Sequence, residues 1–449
     1  MQHPHPADAS SRKPDPSAAH AEHPAPPHTT EDNAAANSTG ADAHPTPPPE
    51  PERATVAPPG PPLRRGKAHG ACPNPNGGPA GPWTDVPEDD WNRWTWQQAN
   101  RLRRLDDIDR ALHLTDDERD AFVRSANLFD VAVTPYYASL MRTGDPRCPI
   151  RLQSLPQKGE LAHFPFELDD PLAEEEHMPV PGITYRYPDR ILFYVTHNCP
   201  VYCRHCTRKR KVADPGSAAA RLQIEEGLRW IARTTTVRDV LLSGGDPLTL
   251  SDDRLLDLLH RLADIPHVEV IRLGTRNPVT LPQRFTPELC QRLRDVRPLY
   301  VHTHFNHPAE CSAAAATALE RLADAGCVLG NQMVLLRGVN DDPATVLELN
   351  RWLLRHRCRP YYIFQADMAR GITHFRTPLQ RGLDIIEHLR GRIGGMGVPH
   401  FAIDLPGGGG KITLTPEHVV HRDGNHWTFR NTFGRTFSFV DAGALEDDP

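Results

Sequence analysis

The apolar run Ile191-Leu-Phe-Tyr-Val-Thr196 ends three residues before Cys199-Pro-Val-Tyr-Cys203-Arg-His-Cys206. The run is short and β-rich and reads as a buried strand, which puts the cysteines on the loop that leaves it. Similar runs recur at 240–242, 268–273, 299–305, 328–336, 361–365 and 401–405. Between them lie amphipathic helical patterns at 222–232, 253–263, 287–296, 313–325, 345–355 and 379–390. Strand and helix alternate about every 30 residues, the pattern of βα units with right-handed crossovers onto a parallel sheet. Six units and a final strand predict an α/β fold, a partial or complete barrel over 186–398.

In such a barrel, chemistry gathers at the C-terminal ends of the strands, where the loops converge. The cysteines follow the first strand, Ser243-Gly244-Gly245-Asp246 the second, and Thr303-His304-Phe305-Asn306-His307 lies near the end of the fourth. Asp367 follows the sixth strand, and Asp404 with Pro406-Gly-Gly-Gly-Gly-Lys411 closes the last. Residues 399–449 are the C-terminal segment that carries Lys411.

Upstream the composition changes. Of the 46 prolines, 20 precede Trp83, in a stretch with almost no large aliphatic side chains. Such a stretch cannot bury enough apolar surface to offset its ordering entropy, so residues 1–82 are expected to be a disordered Pro/Ala/His-rich tail. Its seven histidines before residue 70 are irregularly spaced and read as solvated rather than metal-binding. Helical spacing from Asp89 through Leu112, and Thr115 as a cap ahead of Asp116-Asp117-Glu118, predict an N-terminal helical module over 83–185.

The 449 residues carry a formal charge of −6, which argues against nucleic-acid or membrane-surface partners, since those demand a concentrated basic face. No segment approaches 18 uninterrupted apolar residues and the N-terminus has no apolar leader core, so a soluble, cytoplasmic protein is expected. Of nine cysteines, three fall within eight residues, which suits a metal site and a reducing compartment better than a disulfide framework. Three thiolates spaced C-x3-C-x2-C can hold three irons of a cubane cluster, leaving the fourth for a non-protein ligand. A zinc site would want a fourth Cys or His, which His205 could supply.

With these residues the sequence resembles the radical S-adenosylmethionine (SAM) superfamily. The string Tyr202-Cys203-Arg204-His205-Cys206-Thr207-Arg208-Lys209-Arg210 resembles, more specifically, the lysine 2,3-aminomutase family. The resemblance runs from about Trp91 to Phe439 through Thr134-Pro-Tyr-Tyr137, Pro181-Gly182, Arg186-Tyr-Pro-Asp-Arg190, Leu242-Ser-Gly-Gly-Asp246, Leu281-Pro-Gln-Arg284, Thr303-His-Phe-Asn-His-Pro308, Gly330-Asn-Gln332 and the glycine run. It implies a radical SAM barrel with a [4Fe-4S] cluster on Cys199, Cys203 and Cys206. It places SAM against Ser243, Gly244, Gly245 and Asp246, near His304 and Gln332. Pyridoxal 5′-phosphate (PLP) would be carried by Lys411, with Arg186 and Arg190 near its phosphate. Read on their own, glycines 407–410 let the backbone approach a planar cofactor and adopt positive φ, and they do not fit a Walker phosphate loop. Asp246 alone would read as a helix cap, and the two arginines as surface ion pairs.

The activity implied is that of an isomerase. Reduction of the cluster cleaves SAM, the radical removes a β hydrogen from an amino acid held by PLP, and nitrogen migrates, turning L-lysine into β-lysine. Asp367 and Asp404 match the carboxylates that lysine-specific relatives set against the distant ammonium, and Arg208 the arginine that meets the α-carboxylate. A glutamate side chain would be repelled by two carboxylates, whereas a guanidinium would pair with them. Arginine, or a lysine of a translation factor, is the alternative substrate, and a non-catalytic Fe-S/SAM-binding regulator is the alternative outside catalysis. The partners implied are a small amino acid, an electron donor such as flavodoxin or ferredoxin, and further copies of the chain. Relatives hold a structural zinc through a cysteine after an Asn-Asp pair and three near the C-terminus. Here Asn340-Asp341-Asp342 stands at the first place and no cysteine follows Cys358, so no structural zinc is expected. Phe364 stands where lysine-specific relatives tend to have Tyr.

Overall fold

A computed structural model describes residues 72–126, 128–212 and 221–441, so the disorder expected of 1–71 falls outside the described residues. Nine strands form one sheet in sequence order: β1 (Ile183–Tyr187), β2 (Arg190–Thr196), β3 (Asp239–Gly244), β4 (Val270–Gly274), β5 (Leu299–Thr303), β6 (Val328–Leu335), β7 (Cys358–Gln365), β8 (His400–Leu405) and β9 (Gly410–Leu414). β2 to β8 are parallel, while β1 and β9 run antiparallel along the two edges. Helices α1 (Arg221–Arg233), α2 (Asp252–Ala263), α3 (Pro287–Leu293), α4 (Ala313–Asp324), α5 (Pro343–Arg355) and α6 (Leu379–Leu389) follow β2 to β7 in turn. Every strand and helix expected of the barrel is present. The edges nearly meet: the Lys411 amide on β9 donates to the Tyr187 hydroxyl on β1 at 2.9 Å, so a side chain closes what the sheet ladder leaves open.

Strand alternation separates core from cavity. In β3, Val240 and Leu242 are fully buried, while Asp239, Leu241 and Ser243 are half-buried and line the interior. The same holds in β4, where Ile271 and Leu273 are buried and Arg272 and Gly274 face inward. The apolar set packs under the helices, and the polar set is left to furnish a cavity.

Two expectations about the ends of the domain are corrected. Residues 72–82, assigned to the tail, are ordered: Asn74 donates to Ser139 Oγ at 2.8 Å, Pro75 O accepts from Ala313 N at 2.8 Å, and Gly77 O from Trp91 Nε1 at 2.9 Å. Backbone bonds and one buried indole anchor this piece, so aliphatic content did not reveal it. The helical pattern from Asp89 to Leu112 is divided into three short helices, Glu88–Trp91, Trp94–Ala99 and Leu105–Leu112. Thr115 does cap the next helix, Asp116–Ser125, in a reciprocal box with Glu118. Beyond β9, strands β10 (Val419–Asp423), β11 (His426–Arg430) and β12 (Thr436–Val440) form a separate antiparallel sheet that had not been anticipated. Among the described residues no helix is long and apolar enough to cross a membrane.

Candidate active site

Two adjoining cavities occupy the barrel. The first, about 320 Å³, is lined by Cys199, Cys203 and Cys206 together with Ser243, Gly244, Gly245 and Asp246, and also by His304 and Asp367. The second, about 550 Å³, contains Lys411, Arg186, Arg190 and Arg272. Arg208, Gln332, Phe364 and Asp404 border both. The residues expected to hold the cluster, SAM, PLP and the substrate therefore line these two adjoining cavities.

The cysteines leave β2 on a single loop and share the first cavity. Among the described residues no three His, Cys, Asp or Glu side chains converge closely enough for a single metal ion. Three thiols from one loop that line a common cavity suit ligands to separate irons of a cluster. Nearby, His304 Nε2 and Thr303 Oγ1 are buried without a hydrogen-bond partner, which an isolated fold avoids and a polar ligand such as SAM would relieve. Burial, reinforced by Arg276, pushes the His304 imidazole down to about 3, so it meets a ligand as the neutral ring. Gln332 Nε2 lies 3.1 Å from His302 Nδ1.

Ser243, Gly244 and Gly245 line this cavity, but the glycines are demanded by the protein itself. A Cβ on Gly244 would sit 2.6 Å from Thr196 O, and one on Gly245 2.5 Å from Asn198 O. The missing side chains let Gly245 N donate to Thr196 O and Asp246 N to Asn198 O, pinning the cysteine loop against β3. Asp246 also departs from expectation. Its carboxylate accepts from Thr275 Oγ1, Leu248 N and Arg276 N, so it is the cap of a short helical turn with its oxygens already engaged. Burial nevertheless pushes it up to about 6.

In the second cavity Lys411 is, among the described residues, the one lysine in the lining. It lies on β9 directly opposite Asp404 on β8, and this register brings Nζ to 2.6 Å from Asp404 Oδ2. The ring of Phe364 lies 4.0 Å below Nζ. Arg186 also approaches Asp404, at 3.4 Å, and Arg190 stacks on Tyr187 at 3.9 Å. Three arginines beside a lysine suit a phosphorylated aldehyde. Arg272, paired with Asp239 at 2.7 Å, was not singled out from the sequence; its inward register on β4 was the available signal. Glycines 407, 408 and 410 adopt the positive φ expected, yet the close approaches are internal. A Cβ on Gly408 would meet the His177 ring at 2.5 Å, and one on Gly409 Leu405 Cβ at 2.8 Å. The run makes the β8–β9 turn, with Gly408 and Gly409 packed on the protein and Gly407 open.

Asp367 and Asp404 both line the first cavity, and Asp404 also borders the second. Burial, then the Asp404 charge, pushes the Asp367 carboxyl up to about 7, and a nearby cation would favour its anion. Arg208 is held side-on by Glu174, with Nε at 2.9 Å and Nη2 at 2.5 Å from Oε1, and Tyr194 adds its hydroxyl to the same carboxylate. Burial alone would raise Glu174, but Arg208 and Tyr194 hold it down at about 2. The edge of Arg208 formed by Nε and Nη2 is thereby fixed, leaving Nη1 for a ligand. Glu174 was missed because it lies in an irregular segment between predicted elements. Glu174→Gln is expected to raise KM for the amino acid about tenfold with kcat little changed, and Glu174→Asp to restore part of the loss, as read by steady-state kinetics.

The geometry agrees with what comparison with known proteins finds. Residues 193–349 match the family model of the radical SAM superfamily and residues 386–443 that described as lysine-2,3-aminomutase. The L-lysine 2,3-aminomutase of Fusobacterium nucleatum is 45% identical over 365 residues, covering 81% of this chain and 86% of the relative. That of Clostridium subterminale is 45% identical over 350 residues, covering 78% and 84%. The glutamate 2,3-aminomutase of Clostridioides difficile is 42% identical over 359 residues, covering 80% and 85%. Similarity of this depth extends from the first helices through the cysteine loop to β9 and beyond, and the chain belongs to the lysine 2,3-aminomutase family of radical SAM enzymes.

Proposed function

We propose that this chain is an isomerase that moves the α-amino group of L-lysine to C3, giving β-lysine. The observation that carries the substrate choice is the pair Asp367 and Asp404, both in the lining of the cysteine cavity, with Asp404 also bordering the Lys411 cavity. An ammonium or guanidinium relieves the repulsion between them, and a glutamate side chain adds to it.

When bound, the cluster supplies an electron, SAM a hydrogen-abstracting radical, and PLP the carbon to which the migrating nitrogen attaches. Cys199, Cys203 and Cys206 would ligate the cluster, His304 and Gln332 would meet SAM, and Lys411 with Arg186, Arg190 and Arg272 would hold PLP. The chain's own residues then do the positioning. Arg208, clamped by Glu174, receives the α-carboxylate, and the two aspartates fix the far end of the side chain. Two-point holding stops the substrate from rotating and keeps its β carbon at the junction of the cavities. Leu172, Leu192 and Leu241 line both spaces and exclude water from it. Asp404 has a second task. Its bond to Lys411 Nζ holds the amine at the cavity, where that nitrogen would carry PLP.

The titration of Asp367 gives a pH test. Its carboxyl sits near 7, so the anion that attracts an ammonium is lost as pH falls through neutrality. KM for lysine is expected to be about tenfold higher at pH 6 than at pH 8, and Asp367→Asn to flatten that profile. A profile unchanged by the substitution would remove Asp367 from substrate binding.

A reducing, cytoplasmic setting with a flavodoxin- or ferredoxin-type donor completes the reading, supported by nine free thiols. Self-association is supported by the small C-terminal sheet, which exposes Val419, Val420, Phe437 and Phe439. Sedimentation is expected to find an oligomer that Phe437→Lys with Phe439→Lys weakens.

A further inference from the structure

Arg276, in the loop leaving β4, is a buried cation that the reading above does not use. Its backbone amide is fixed on Asp246 at 2.7 Å, and Nε donates to His304 O at 3.2 Å. Nη2 meets Tyr137 Oη at 3.0 Å, Gln153 Oε1 at 2.6 Å and Glu310 Oε1 at 2.8 Å. All three of these residues are fully buried, and Tyr137 and Gln153 come from the N-terminal helices. Nη1 points the other way and lies 2.7 Å from Cys203 Sγ.

A counter-ion for Glu310 would explain Nη2 but not Nη1. The Glu310 carboxylate also accepts from the Tyr137 hydroxyl at 2.7 Å, Gln153 Nε2 at 3.1 Å, Asn306 N at 2.6 Å and His307 N at 3.1 Å. That network makes a rigid mount, and what it presents to the cavity is one N–H on one cysteine sulfur. A donor on a ligating sulfur withdraws electron density from the cluster and stabilises its reduced, more negative state, so it raises the reduction potential.

We propose that Arg276, fixed by Glu310, Gln153 and Tyr137, is the residue that tunes the reduction potential of the cluster through a hydrogen bond to Cys203. It is a positioning residue, acting through the ligand. Reduction adds one electron from an external one-electron donor to the cluster, and Arg276 gives up no proton. The proposal rests on the assignment of Cys199, Cys203 and Cys206 as cluster ligands.

The test is a redox titration of the anaerobically reconstituted full chain, followed by the paramagnetic signal of the reduced cluster. Arg276→Met leaves Glu310 as an unopposed buried anion, so Arg276→Met with Glu310→Gln is the companion that folds without an unpaired charge. At the potential that half-reduces the unaltered protein, the double variant is expected to show a ratio of reduced to oxidised cluster about tenfold lower, equivalent to about 59 mV for a one-electron couple. The single variant should fall further, and Arg276→Lys should lie between the unaltered protein and the double variant. A double variant whose midpoint equals or exceeds that of the unaltered protein would overturn the proposal. So would its failure to take up iron and sulfide, since a tuning residue is dispensable for assembly. Failure of the ligand assignment itself would look different: the unaltered protein would form no cluster.

Discussion

Lys411→Ala is expected to abolish both the visible absorbance of bound PLP and the formation of any β-amino acid, a loss of about 10³-fold or more. Among the described residues Lys411 is the one lysine lining the cavity that holds the arginines, so no described neighbour can take its place. The fold should survive the change. Register between β8 and β9 is set by backbone pairing from Phe401 to Leu405 against Gly410 to Leu414, and the amide at position 411 keeps its bond to Tyr187. Asp404 loses one partner but keeps Arg186. An unaltered melting curve with no PLP and no product separates this outcome from unfolding, and retained turnover would remove Lys411 from its role.

Asp367→Asn is expected to lower kcat/KM for L-lysine by about 10²-fold or more, because removing one side of a desolvated charge contact typically costs a few kcal/mol. The effect should be selective. Asp367 has no ion pair or hydrogen bond of its own among the described residues that the fold would miss, and burial beside Asp404 already holds its carboxyl above the usual range. Iron, PLP content and SAM binding should therefore stay unchanged. Loss of PLP along with lysine turnover would mean that Asp367 supports the cofactor cavity rather than the substrate.

Much of this was legible because buried parallel strands announce themselves. β2 to β8 are short apolar runs, and the cysteines, Ser243, Asp367 and Asp404 stand at or just beyond the ends that barrel geometry brings together. What escaped is of a different physical kind. β1 and β9 are edge strands with half-exposed faces, so neither carries an apolar run. β10 and β12 are exposed throughout. Glu174, Arg272 and Arg276 owe their importance to ion pairs with residues 34, 33 and 34 positions away, which no local pattern reveals. Close approach was expected of the 407–410 run, and at Gly408 the partner is the His177 ring, while Gly244 and Gly245 are packed against Thr196 and Asn198. Absence of a side chain signals contact without naming what is touched.

The central claim is that the cavity pairs Lys411 chemistry with selection for a cationic side chain. It is tested most directly by supplying the reconstituted, reduced enzyme with SAM and an equimolar mixture of L-lysine, L-arginine and L-glutamate, and identifying the β-amino acid formed. β-Lysine as the dominant product is the predicted result. β-Glutamate, or SAM cleavage with no β-amino acid from any of the three, would contradict it.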